Sequence, residues 1–180
     1  MMGHAAEAGV SRSPQEQGKR LSRGDLNAKE GTMQLPDYIS KKEVQRVCHE
    51  LGIRDWTMLT EGVVELDEAR IIQAAVGGEA GQVSPDEFRQ GLEVELEHGL
   101  TFPDANVTNN HPILTGKIVL AHLKEMLDYY LRLDVAESEG DLWKAASKGD
   151  KEKVLRYYRK LVQARAELSE KEKMRSAAVS

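Results

Sequence analysis

Apolar residues recur at helical spacing along most of the chain beyond Leu35, in blocks separated by Gly, Pro and Asn. The first block predicts a helix capped by Ser40, with Glu43 completing a capping box, and stopped at Gly52. Between Ile53 and Gly62 the pattern is irregular, and Trp56, Met58 and Leu59 are expected to pack down on the core. A second helix starts near Asp67 and ends at Gly77-Gly78. The third is capped by Ser84 with Pro85 in its first turn, and Gly99 is expected to close it. Leu100 to His111 is rich in Pro, Asn and Asp and reads as a turn-forming connection. A fourth helix starts near Pro112 and reaches about Ala136. A short helical segment around Leu142-Trp143 follows Ser138-Glu-Gly140. A final helix from about Asp150 keeps Val154, Leu155, Tyr158, Leu161, Val162 and Leu168 on a helical period. The expected fold is all-α, a compact helical bundle over residues 35–180 with its core at about 35–168. Residues 1–34, rich in Gly, Ser, Ala, Arg and Glu without an apolar period, are expected to form a disordered tail.

Two of these helices carry ionisable residues where leucine belongs. At about 100° per residue, Glu95 falls within about 40° of Phe88 and Leu92, and His98 lies about 80° to the side. In the fourth helix His122, Glu125 and Tyr129 fall within about 40° of Ile118. A carboxylate or imidazole on an apolar stripe costs several kcal/mol unless it is paired, protonated or bound to a metal.

Glu95 and His98 form Glu-x-x-His, and His122 and Glu125 form His-x-x-Glu. Residues three apart on a helix are neighbours, so each pair can aim two ligands at one point. In an antiparallel, aligned hairpin His98 would face His122 and Glu95 would face Glu125. The expected metal ligands are therefore Glu95, His98, His122 and Glu125, with Asp128 and Tyr129 as the hydrogen-bond partners behind them. Mixed nitrogen and oxygen donors suit zinc, iron or manganese, and the short supply of acids suits a mononuclear site. The alternative is a buried salt-bridged network of the same four residues, with Tyr129 and Arg132 completing its hydrogen bonds.

Composition narrows the field. A hydrophobic fraction of 40% and a charged fraction of 31% describe a globular chain, and two Phe and two Trp leave the core to Leu, Ile, Val, Met and Tyr. The net charge of −5 disfavours nucleic-acid binding by the chain as a whole. The single cysteine, Cys48, excludes an internal disulfide and reads as a buried, inert thiol. No apolar run approaches the roughly 20 residues that span a bilayer, and the amino terminus lacks an apolar signal core, so a cytoplasmic protein is expected. A calcium loop before Ser84 fails because its earlier ligand positions fall on Val76, Gly78 and Ala80. Thr115-Gly-Lys117 lacks the glycine-rich loop of a phosphate site.

The words Glu93-Val-Glu-Leu-Glu-His-Gly99, Asn106-Val-Thr-Asn109, Leu114-Thr-Gly-Lys-Ile118, Ala121-His-Leu123 and Asp128-Tyr-Tyr-x-Arg-Leu133 resemble a family of small, mostly bacterial proteins of uncharacterised activity. The likeness covers about Ser84 to Leu133. It departs at Leu127, where the family pattern has proline. The resemblance implies no reaction, but it places Glu95, His98, His122, Glu125, Asp128 and Tyr129 inside the shared phrases.

Two functions from different classes follow. One is a helical metal-binding protein using the Glu/His cluster. The other is a non-catalytic interaction module whose cluster is structural and whose carboxy-terminal helix meets a protein partner. A metallo-hydrolase or oxygen-handling enzyme is a third reading, for which no catalytic residue is identified. The sequence fixes no oligomeric state.

Overall fold

The computed structural model describes residues 39–179, with side chains described to 177, and the expected tail lies outside them. The described residues hold six α-helices, α1 (Lys41–Leu51), α2 (Leu66–Val76), α3 (Pro85–Thr101), α4 (Pro112–Glu125), α5 (Tyr129–Ser147) and α6 (Lys151–Val179), and no strand. Two short 3-10 turns, Trp56–Met58 and Gly78–Gln82, flank α2. The all-α expectation is met.

Local signals account for most boundaries. Ser40 accepts the Glu43 amide and Ser84 accepts the Glu87 amide, each satisfying an orphan donor of a first turn. Gly52 ends α1 at φ 67°, a conformation that costs glycine little. The buried faces of α1 to α4 then converge: Val44, Cys48, Trp56, Ile72, Phe88, Leu92, Leu96, Val119 and Leu123 form one core with Tyr130 of α5. Each large apolar side chain buried this way contributes about 1.5–3 kcal/mol. Helices α2, α3 and α4 pack on one another, whereas α6 packs principally on α5. Cys48 is buried as expected, and burial pushes its thiol up in pKa, away from reactivity.

Four boundaries and contacts differ from expectation. Met58 is exposed, because the Trp56–Met58 turn uses Trp56 alone as its anchor. Helix α3 runs through Gly99 to Thr101, since Gly99 serves close approach and not termination: a Cβ there would lie 2.0 Å from Asn110 Oδ1. The long fourth helix is two helices, broken at Met126–Asp128, and Met126 is extended at φ −153°, ψ 119°. Conversely, Ser138-Glu-Gly140 does not interrupt α5, which carries Leu142 and Trp143 within one continuous helix. Gly116 of α4 lets the Val76, Ile72 and Phe88 side chains approach, since a Cβ there would stand 2.7 Å from Val76 Cγ2.

Candidate functional site

Helices α3, α4 and α5 meet where Glu95, His122 and Tyr130 touch. The Tyr130 hydroxyl donates to Glu95 Oε1 at 2.9 Å. His122 Nδ1 lies 3.1 Å from the same hydroxyl oxygen and 3.1 Å from Glu95 Oε1. A phenol has one proton, and it is committed to Glu95, so His122 Nδ1 must carry hydrogen to make either contact favourable. In a ring with one proton the lone pair then lies on Nε2. Tyr129 stacks on the imidazole with ring centroids 4.2 Å apart and planes 9° from parallel. Burial, followed by the Glu95 carboxylate, pushes the Tyr130 pKa well up, so the phenol stays a donor throughout the ordinary pH range.

The tyrosine is seated by a glycine on the facing helix. At Gly91 of α3 a Cβ would stand 2.6 Å from Tyr130 Cε2 and 2.5 Å from Val119 Cγ1. The ring therefore fills the space of a missing side chain, and its hydroxyl reaches Glu95 one turn further along α3.

The four expected ligands do not assemble. Glu95 meets His122 and not Glu125, a shift of about one turn from the aligned hairpin. His98 turns to Glu137 of α5, with Nε2 3.5 Å from Oε1, and both side chains are about half exposed. Glu125 is exposed at the end of α4. Among the described residues no group of three or more His, Cys, Asp or Glu side chains is placed to hold a metal ion. Asp128 takes no part in the cluster. It is buried, accepts two hydrogen bonds from Arg132 at 3.1 and 3.0 Å, and lies 3.1 Å from Arg175 of α6. The Arg132 hydrogen bonds hold its carboxyl below the usual range despite burial. Arg132 also reaches Glu172 at 2.7 Å, so it ties α5 to α6 and does not complete the Glu/His cluster.

Tyr130 is the member that periodicity missed. The angular count from Ile118 assumed an unbroken helix and selected Tyr129; the break at 126–128 resets the phase and turns Tyr130 inward. A proline or glycine would have signalled that break, and neither is present.

Glu95 and His98 also line a small cleft of about 210 Å³ between α3, the 102–111 connection and α4, with Asn106, Thr108 and Thr115. Asn106 is fully engaged there: it donates to the Gly99 carbonyl at 3.1 Å and to Asn110 Oδ1 at 2.8 Å, and accepts from Thr108 and the Asn110 amide. The Asx-rich connection thus satisfies itself and clamps onto Gly99.

The α5–α6 hairpin presents a different surface. Trp143 is 72% exposed, and Leu155, Tyr158 and Val162 of α6 are each more than half exposed. Leu142, Ala146, Val154, Leu155 and Tyr158 line an apolar groove of about 630 Å³ near the hairpin turn.

A family model matches residues 44–139, and the chain belongs to that family, described as Protein of unknown function (DUF5661). No curated protein and no solved structure matches the chain. No helix among the described residues is long and apolar enough to cross a membrane.

Proposed function

With membership of that family as the premise, we propose that the protein is a non-catalytic interaction module. Helices α1 to α4 and the first turns of α5 are the scaffold, the Glu95–Tyr130–His122 cluster locks the α3/α4/α5 junction, and the α5–α6 hairpin meets a protein partner. The observation that carries this reading is the exposure of Trp143, Leu155, Tyr158 and Val162 on one hairpin. Leaving large apolar side chains in water forgoes about 25 cal/mol per Å² of burial, and a concentration of them marks interaction surface. The turn of the hairpin and all of α6 lie beyond the residues that the family model matches. The test is retention of a stoichiometric, crosslinkable protein by the full chain and by the Leu155→Asp/Tyr158→Asp variant, with circular dichroism monitoring the helices of both. Retention by the wild type and loss by the folded variant is expected. Equal retention by both overturns the reading.

A second reading keeps a metal at the cluster, supported by the 3.1 Å approach of Glu95 Oε1 to His122 Nδ1, which orients the ring and leaves the lone pair of a singly protonated imidazole on Nε2 to face an ion. Zinc, iron or manganese would suit these donors, with His98 or Glu125 swinging in to complete the set. Elemental analysis of protein purified without a metal-affinity step, beside His98→Ala/His122→Ala, decides it. Near-stoichiometric metal lost in the double variant supports this second reading; unchanged metal content in the variant removes it.

A further inference from the structure

The hairpin surface also carries information about the kind of partner it fits. Around the helix axis of α6, Lys151, Leu155, Tyr158, Val162 and Arg165 fall within about 80° of one another, on a stripe that flanks the buried Leu161 and Ala164 with its centre about 110° from theirs. The spacing of Leu155, Tyr158 and Val162, three then four, is that of a seam that receives a second helix. From Lys151 to Val162 the stripe is about 16 Å long, enough for roughly three turns of a partner helix.

Charge distinguishes the partner. From Asp141 to Arg165 the chain has eight Lys and Arg against three Asp and Glu, although the whole chain is net −5. Several cations there are already engaged: Lys144 with Asp141, Lys153 with Asp150, Lys160 with Asp134 and Arg165 with Glu139. Lys148, Lys151 and Arg159 have no carboxylate partner among the described residues, and Glu152 is the one exposed acid left beside them. Arg156 acts on the Asp150 carboxylate and lies over the Tyr157 ring, 4.9 Å from its centroid.

A second copy of the chain fits this surface poorly. Antiparallel pairing about Tyr158 sets Lys151 of one copy opposite Arg165 of the other, and like charges across a helix seam are destabilising. An apolar face flanked by acids meets both features of the surface at once. We infer that the α5–α6 hairpin docks an acidic amphipathic helix of a partner protein, laid along Leu155, Tyr158 and Val162 with its carboxylates toward Lys151 and Arg159. This inference rests on the interaction-module reading and specifies the partner's chemistry. Helix-in-groove recognition of this type takes its affinity from the apolar anchors and its orientation from the flanking charges.

The test uses the full chain and three probes: a helical peptide of about three heptads with Leu at the seam and Glu at the flanks, the same peptide with Lys at the flanks, and vesicles of phosphatidylcholine with phosphatidylserine. Binding is read by the fluorescence anisotropy of labelled peptide and by cosedimentation with vesicles. The expected result is binding of the Glu peptide at least about tenfold tighter than the Lys peptide, weakened at least about tenfold by Tyr158→Ala and weakened by salt. Equal binding of the two peptides, no peptide binding, or capture by the vesicles in place of the Glu peptide overturns the inference. Self-association of the wild type that Tyr158→Asp abolishes overturns it as well. If the peptides fail while a stoichiometric partner still depends on Leu155 and Tyr158, the acidic-helix assignment alone falls. If that partner is also absent, the module reading falls with it.

Discussion

The Tyr130 hydroxyl donates to Glu95 Oε1 across 2.9 Å, joining the start of α5 to the middle of α3 immediately after a break in the helical path. Removing that proton leaves a largely buried carboxylate with one donor fewer. Tyr130→Phe is therefore expected to cost about 1–3 kcal/mol in urea unfolding, the range for stranding a buried acceptor. A cost under about 0.5 kcal/mol would mean that the hydroxyl contributes nothing net to the junction.

Gly91 is the seat of the Tyr130 ring, and a methyl group there would stand 2.5 Å from Val119 Cγ1. Gly91→Ala gains up to about 1 kcal/mol of helix propensity but loses about 1–3 kcal/mol to overpacking. Because the ring is tethered through its hydroxyl, the net expectation is a loss of about 1–2 kcal/mol, read from the same denaturation curve. A stabilised variant would show that the ring moves freely.

Met126 already has the extended backbone that a residue before proline requires, and Leu127 is exposed. Leu127→Pro should therefore be tolerated, with stability unchanged or raised by about 0.4–1 kcal/mol through the stiffer unfolded chain. A loss above about 2 kcal/mol would mean that the 126–128 break depends on the Leu127 amide or side chain. This chain makes the 126–128 break without a proline.

Acid should weaken the fold through Glu68 and Asp128. Glu68 accepts from the Arg54 amide and guanidinium at 2.6–3.0 Å, and although burial pushes its pKa up, Arg54 outweighs it and holds the carboxyl below its ordinary 4.5. Asp128, hydrogen-bonded to Arg132, sits below its ordinary 3.8. For both, the unfolded chain takes up the proton at a higher pH than the folded one. Their stabilisation is present above those ordinary values and is lost as pH falls through the folded ones. Melting temperatures from about pH 6 to about pH 3 should fall on acidification, and the fall should be shallower in Asp128→Asn. An unchanged slope in that variant would remove Asp128 from the acid response.

Most of the architecture was legible from local chemistry. Ser40 and Ser84 mark true helix starts, Gly52 a true end, and the stripe through Phe88 and Leu92 is buried as its period implies. What failed was phase. The break at 126–128 has no proline or glycine to announce it, so Tyr129 stood in for Tyr130 in the angular count. Gly99 read as a helix stop because glycine serves both termination and close packing, and only the Asn110 side chain lying against it distinguishes the two. Of the candidate site, Glu95 and His122 were found from their places on apolar stripes, and they do meet. The positions of His98 and Glu125 were not recoverable, since they follow from how α3, α4 and α5 are set against one another, which no helical period encodes. The exposure of Leu155, Tyr158 and Val162 was likewise hidden, because a helical period is the same whether its face meets a core or a partner.

The most direct test of the division between scaffold and surface is the amount of partner retained per folded chain by two variants measured side by side, Leu155→Asp/Tyr158→Asp and Tyr130→Phe. The surface variant should keep its melting temperature and lose the partner, while Tyr130→Phe should melt earlier and, below its transition, retain the partner in full. Loss of the partner by folded Tyr130→Phe, with retention by the hairpin variant, would contradict the proposal and place the binding function at the Glu95–Tyr130–His122 junction.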